Sequence, residues 1–350
     1  MSHIFNIQTE EDFSSQCLET FRYQYENVEV YRKFADYLNI NPKDVDAIEK
    51  IPFLPIEMFK NHLVLDKNSV AGNYFQSSGT TQMNRSKHYI ADFELYEESI
   101  YKSFQQFIGK AEDYIFLGLL PNYSENPHSS LIYMIDFLMK KSGKPENGYF
   151  LYNHRELLAL LNSLYDKKVI LFGVSFALLD FLEYSHSTIS TPNNPITQLL
   201  NHSNNLVVIE TGGMKGRKQE MTKDELLKIL QKGFCTDKVF SEYSMTELLS
   251  QAYSLGENIY QTPNWMRILI RNTEDPFSFL KSGKTGAINI IDLANKYSCS
   301  FIATQDLGRI LTDSEVLRFA RNDKEIVNNK FQVLGRIDHS DIRGCSLLVS

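Results

Sequence analysis

An α/β fold with a mainly parallel sheet is predicted by three features of this sequence. Strand-like and helix-like stretches alternate through residues 114–253, and that rhythm builds βαβ units whose strands run parallel. The chain is 350 residues long and 43% apolar, enough to bury a large core. Beyond residue 259 the alternation gives way to short β-like pieces separated by Gly, Asp, Asn and Lys, which predicts a small barrel or edge sheet beside the parallel part.

Taken in order, Phe13, Cys17, Phe21, Tyr25, Val28 and Tyr31 recur at three- and four-residue steps, so 10–38 is predicted as amphipathic helix. Pro52 and Pro55 hold 51–56 extended, because a proline disfavours helix at the residue before it. A second helix is expected over 92–107. Then come a strand at 114–119, a helix at 130–141, a short strand at 149–151, a helix at 155–165 and a strand at 169–172. The pattern continues with a strand at 206–210, a helix at 223–232, a strand at 238–240 and a helix at 246–253. The later β pieces are 266–270, 286–293, 301–304 and 331–333. No repeat or low-complexity stretch interrupts the chain, so 1–350 reads as one compact domain with sub-lobes. The stretch 185–205 reads as a surface loop.

The net charge of -7 argues against a nucleic-acid partner, which would require basic residues gathered on one face. A small molecule or a protein is the expected partner. The N-terminus is acidic early and lacks a basic stretch followed by an apolar run, so no secretory signal is expected. The longest apolar stretch, 169–179, is too short to span a bilayer, and a cytoplasmic protein is expected. Cys17, Cys235, Cys299 and Cys345 lack C-x-x-C spacing, as a reducing compartment permits. The first three read as small apolar residues.

Several segments carry chemistry. Ser77-Ser78-Gly79-Thr80-Thr81, with Arg85 and Lys87 close behind, can wrap phosphates in hydroxyls and backbone N–H groups while cations balance charge; a plain Ser/Thr turn is the competing reading. Ser244 to Glu247 has the S-x-x-E spacing of a capping box. It also lies between a predicted strand and helix, where anions bind, and there Tyr243 would stack on a base, Thr246 contact a phosphate and Glu247 hold Mg²⁺. Gly212 and Gly213 follow a strand at the carboxyl end where open α/β sheets bind ligands. Asp306 follows another strand and could meet a ribose diol. Turn formation is the competing reading for each.

In their joint order these segments resemble the core motifs of the adenylate-forming superfamily: Ser77 to Thr81, Gly212-Gly213, Tyr243 to Glu247, Gln305 to Gly308, and Gly335-Arg336-Ile337-Asp338. More narrowly, residues 21–26 and 51–56 and the ending Arg343-Gly344-Cys345 resemble the acyl-protein synthetase component of bacterial luminescence fatty-acid reductase. The resemblance covers nearly the whole chain. It implies the superfamily's large-domain fold, layered αβαβα sub-lobes plus a distorted β-barrel, without the C-terminal lid. It also implies ATP and Mg²⁺ as cofactors: Ser77, Ser78, Gly79, Thr80 and Thr81 on the phosphates, Gly212 and Gly213 flanking adenine, and Tyr243 stacked on it. Thr246 and Glu247 would serve phosphate and metal, Asp306 the ribose hydroxyls, and Arg336 the ribose or phosphate side. The family's phosphate loop continues Gly-x-Pro-Lys, whereas this one continues Gln82-Met83-Asn84-Arg85, which makes Arg85 or Lys87 the candidate replacement for the missing lysine.

The tail 334–350 carries Cys345, the candidate acyl acceptor. A thiolate attacks an acyl-adenylate far better than a thiol; Arg343 and His339 favour the thiolate, while Asp338 and Asp341 oppose it. The loop 121–130 resembles the family's substrate side, so His128 is the candidate to orient a carboxylate, against a loop histidine with no role. The expected activity is ATP-dependent activation of a carboxylic, fatty or related, acid to acyl-AMP, then transfer to Cys345 for an acyl-accepting protein: a reductase, an acyltransferase or an acyl carrier. Two alternatives stand beside it. One is an acyl-CoA or acyl-carrier ligase of phenylacetate-CoA-ligase type with Cys345 incidental, the other a non-catalytic nucleotide-binding subunit.

Overall fold

The structure is a computed structural model and describes residues 3–78, 85–121, 124–187, 205–212, 221–315 and 330–337. A helical segment opens the chain: α1 (Glu10–Asn27) and α2 (Glu29–Tyr37). Thr9 and Asp12 form a capping box at the start of α1, satisfying two N–H groups that the first turn cannot pair internally. The helix predicted over 10–38 breaks at Val28, which turns extended to bridge Asp66. After it, β1 (Leu54–Pro55) pairs in parallel with a late strand, β13 (Phe301–Ile310), and α3 (Met58–Asn61) follows. Then β2 (Tyr74–Gln76) and β3 (Lys87–Tyr89) form a small antiparallel hairpin whose connection is the hydroxyl-rich loop.

The parallel part is built as the alternation predicts: α4 (Phe93–Phe107), β4 (Ile115–Leu119), α5 (Ser130–Ser142), β5 (Gly148–Tyr149), α6 (His154–Ser163), β6 (Val169–Val174), α7 (Ser175–Ser187), β7 (Leu206–Thr211), α8 (Lys223–Gly233) and β8 (Phe240–Tyr243). Strands β5, β4, β6, β7 and β8 pair in that order, all parallel. Every residue of β4 and β6 is buried, as expected where helices shield both faces of a strand. Helix α5 packs on β4, and α7 on β6 and β7. Because α7 runs to Ser187, the predicted loop at 185 begins as helix; 188–204 lies outside the described residues.

From β8 the same sheet continues antiparallel. Strands β9 (Ala252–Ser254), β10 (Tyr260–Gln261), β14 (Phe331–Arg336), β13, β12 (Gly286–Asp292) and β11 (Met266–Arg271) extend it in that order. Strands β11, β12, β13 and β14 are the short β pieces marked in the sequence, with β13 reaching six residues further, to Ile310, whereas β9 and β10 are not marked there.

The helix predicted at 246–253 is absent. Residues 244–251 make turns and an irregular stretch, and β9 begins at Ala252. The reason is long-range. Leu249 and Ser250 donate their backbone N–H groups to Asp292 Oδ2 at 2.8 and 2.9 Å, and Ser250 Oγ donates to Oδ1 at 2.6 Å. A buried carboxylate thus takes the donors that a helix would have paired internally. Without a helix, neither the capping-box reading of Ser244 and Glu247 nor the helix-dipole reading of this segment stands.

Candidate active site

Where the sheet changes from parallel to antiparallel, the carboxyl ends of β7 and β8 meet the β13–β14 pair. Tyr243, the last residue of β8, lies edge-on to Tyr260 and Phe331, each at 5.9 Å between ring centroids. Its hydroxyl donates to Asp306 Oδ2 at 2.9 Å. Asp306 sits opposite Arg336 in the β13–β14 register, and Arg336 Nε is 3.5 Å from Asp306 Oδ1. Burial raises the Asp306 pKa, and Arg336 and Tyr243 oppose the rise. The result is a half-shielded acceptor that can take hydrogen bonds from a vicinal diol, beside an aromatic ring and a solvent-reaching guanidinium that is 71% exposed.

Glu247 forms the other end, and its side chain is buried. Burial raises its pKa; a hydrogen bond from the Ser86 side chain and the charges of Arg336 and Lys60 pull it back. Ser86 closes the stem of the hydroxyl-rich loop: its backbone N–H donates to Ser77 Oγ at 3.0 Å, and Ser77 N–H donates to the Ser86 carbonyl at 3.1 Å. The loop is therefore tied at its base to Glu247. The turn itself hangs from buried side chains. His88 Nδ1 donates to the Thr246 carbonyl at 2.9 Å, and His88 Nε2 lies 3.0 Å from Asn295 Oδ1. Asn295 Nδ2 donates to the carbonyls of Glu247 and Cys299 at 2.7 and 2.9 Å. Burial lowers the His88 pKa to about 4, and the hydrogen bonds to Thr246 and Asn295 oppose the shift.

Tyr243, Thr246, Glu247, Asp306, Arg336 and Ser77 thus gather at one place. Ser78 follows at the exposed mouth of the loop. Gly212 lies at the end of β7 with φ +74°, a left-handed conformation that glycine adopts without strain, and none of the described residues stands within 4 Å of where its Cβ would be. Lys87 and His128 gather elsewhere on the hairpin: the His128 ring stacks on Tyr74 at 4.5 Å and Lys87 Nζ lies 5.0 Å from the same ring. Arg85 is half-buried, and its Nε has no hydrogen-bond partner among the described residues. Gly79, Thr80, Thr81, Gly213, Asp338, His339, Arg343 and Cys345 lie outside the described residues.

Sequence reasoning missed four contributors. Ser86, His88 and Asn295 have no motif of their own; the alternation of β3, with His88 buried between exposed Lys87 and half-buried Tyr89, is the one local signal. The fourth is a buried polar cluster under Gly212. Ser175 Oγ lies 2.5 Å from Glu210 Oε1 and 3.2 Å from the Gly212 carbonyl, and Lys223 Nζ pairs with Glu210 Oε2. A glutamate closing an otherwise apolar strand, as in Leu206–Thr211, was the available clue, since a buried charge needs a partner.

No known protein-family model matches the sequence, and no curated protein does. Solved structures do. A 2-hydroxyisobutyryl-CoA ligase in complex with 2-HIB-AMP and CoA, in the thioesterification state, has a TM-score of 0.66 at 12% identity, over 94% of this chain and 68% of that one. ATP-bound MatB from Rhodopseudomonas palustris has a TM-score of 0.51 at 13% identity, over 75% of this chain and 47% of that one. A luciferase-like enzyme from the nonluminescent Zophobas morio mealworm has a TM-score of 0.50 at 13% identity, over 78% and 60%. The chain spans about half the length of MatB. What these similarities establish is the fold, that of the large domain of adenylate-forming enzymes. Among the described residues no helix is long and apolar enough to cross a membrane.

Proposed function

We propose that this protein activates a carboxylic acid with ATP to an acyl-adenylate, then passes the acyl group to Cys345 as a thioester for delivery to an acyl-accepting protein in the cytoplasm. In this reading 1–350 is one adenylate-forming domain with sub-lobes, and 334–350 is the tail carrying the thiol. The observation that carries it is the convergence of Tyr243, Asp306, Arg336, Glu247 and the Ser77–Ser86 loop stem on the sheet's switch point, where open α/β sheets bind nucleotides.

A nucleotide fits this donor set. Tyr243 offers a ring face, Asp306 accepts from ribose hydroxyls, Arg336 meets the negative charge between ribose and phosphates, and Thr246 and the loop hydroxyls meet the phosphates. Magnesium also fits: among the described residues no cluster of three or more metal-ligating side chains exists, and a single carboxylate, Glu247, beside a phosphate loop is how this ion is usually held. When bound it supplies charge neutralisation on phosphate oxygens. In the first step an acid oxygen attacks the α-phosphorus; an O–P bond forms, and the bond to the β-phosphate breaks with its electron pair leaving on pyrophosphate. His128 orients the acid, and Lys87 and Arg85 supply positive charge. In the second step the Cys345 thiolate attacks the acyl carbonyl, a C–S bond forms and AMP departs.

Intact-mass spectrometry after incubation with MgATP and a panel of carboxylic acids tests this. An acyl-sized gain that needs ATP, is removed by hydroxylamine and vanishes in Cys345→Ala is the expected result. One observation favours a second reading: the ligase of similar fold is seen with CoA. If this chain is an acyl-CoA or acyl-carrier ligase, Cys345→Ala will leave product formation intact. Absence of pyrophosphate release with every acid would leave the non-catalytic nucleotide-binding subunit.

A further inference from the structure

One carboxylate at the switch point has no part in the site described so far. Glu242 precedes Tyr243 at the end of β8, and because side chains alternate along a strand it lies on the opposite face. Its place in the sheet is fixed on both sides: it pairs in register with Thr211 of β7 and with Tyr253 of β9. Thr211 Oγ1 donates to Glu242 Oε2 at 2.5 Å. The residue is 3% exposed, yet its other oxygen, Oε1, has no hydrogen-bond partner among the described residues, and neither has the hydroxyl of its buried cross-strand neighbour Tyr253. Burial raises the Glu242 pKa and the Ser244 and Thr211 hydroxyls oppose the rise; Lys223, which also opposes it, is committed to Glu210. A buried acceptor left in this state is costly until a donor meets it.

The face that carries Glu242 also receives the hairpin of the phosphate loop. Tyr253 packs on Phe104 and Phe107 of α4, at 6.5 and 5.8 Å between ring centroids. Along α4, Tyr96, Ile100 and Phe104 follow at four-residue steps, all buried. Tyr96 packs in turn on Phe75 at 5.5 Å, two residues before Ser77. The intervening Gln76 donates its backbone N–H to the carbonyl of His128 at 2.8 Å, the residue proposed above to orient the acid. The phosphate loop, His128 and Glu242 are thus joined through one helix. A molecule lying across the carboxyl end of β8 meets the nucleotide on the Tyr243 side and Glu242 on the other.

We infer that Glu242 is a specificity-determining residue and that the acid activated here carries an amino group, whose ammonium pairs with the Glu242 carboxylate while the acid's own carboxylate reaches the nucleotide. This rests on the adenylation reading and names the substrate class within it. An ammonium group suits the place on two counts. It brings the opposite charge that a buried carboxylate needs, and it offers three donors where Oε1 stands open. A plain hydrocarbon acid would leave that oxygen unmet, at the cost of an unsatisfied buried group.

The test is ATP–pyrophosphate exchange with matched pairs of acids, each amino acid beside the acid that lacks only its amino group, such as β-alanine beside propionate and phenylalanine beside 3-phenylpropionate. The native protein should favour the amino member of at least one pair by about tenfold or more in kcat/KM, the scale of one charge-assisted hydrogen bond. In Glu242→Gln, with folding checked by calorimetric ATP binding, that preference should fall by about tenfold or more. Thr211→Val, which removes the hydroxyl that holds the carboxylate, should lower it less, and it decides the matter where Glu242→Gln does not fold. A native protein that favours the amino member of no pair, or a preference that these variants leave unchanged, overturns the inference while leaving adenylation standing. A native protein that supports exchange with no acid overturns the adenylation reading and this inference with it.

Discussion

The two ends of the site are held by different means. At the Asp306 end regular sheet register does the placing: Asp306 and Arg336 face one another across β13 and β14, and Tyr243 arrives as the last residue of β8. At the Glu247 end no regular element is present, and an irregular turn is suspended from His88 and Asn295, which reach it from β3 and from the segment after β12. The first end is a by-product of the sheet and tolerates loss of one side-chain contact. The second depends on a few buried side-chain bonds to backbone carbonyls, and each leaves an unsatisfied group when removed.

The sharpest way to break this comparison is Asn295→Ala. It strands the Glu247 and Cys299 carbonyls and one face of His88, and should cost about 4 kcal/mol of stability by urea unfolding. A loss as small as that expected at the Asp306 end would remove the distinction. Next comes the pH dependence of His88. Its folded pKa, about 4, lies below the ordinary 6.5, so the unfolded chain binds more protons between those values. The stability this buried neutral histidine contributes is complete above pH 6.5 and is lost as pH falls toward 4, by up to about 3 kcal/mol. In His88→Gln that slope should flatten. A third prediction concerns Glu247, whose carboxyl is raised by burial. If Glu247 holds magnesium as proposed, ATP binding would need the ionised form and should strengthen with rising pH through a midpoint above the ordinary carboxylate value. Glu247→Gln should weaken that binding about tenfold, on the scale of one lost charge-assisted contact, and abolish the pH limb. The smallest effect is expected from Tyr243→Phe, which removes one hydrogen bond to a carboxylate that retains Arg336 and should cost about 1 kcal/mol.

The same division separates what was legible in the sequence from what was not. The parallel strands and their helices follow from local pattern, and β4, β6 and β7 lie within two residues of where their apolar runs place them. Tyr243, Glu247, Asp306 and Arg336 were legible as an ordered set and do come together. The helix assigned to 246–253 failed because Met245, Leu248, Leu249, Ala252 and Tyr253 have helical spacing, while the partner that decides the backbone, Asp292, lies more than forty residues away. His88 and Asn295 were invisible for the same reason: a buried polar residue acquires its meaning from a partner that no local window contains. Val28, where the first helix breaks, is another instance, since its bridge is to Asp66.

Gln24, on α1, is fully buried. Its amide nitrogen donates to the Asn295 and Lys296 carbonyls and to Ser300 Oγ, and its amide oxygen accepts from the Ser300 backbone. A turn of α1 is thus the brace for the segment that holds Glu247, and its partners are made some 270 residues later. Synthesis at roughly 5–20 residues per second leaves α1 without those partners for tens of seconds. Until residues 295–300 have been made, the segment that holds Glu247 lacks this brace.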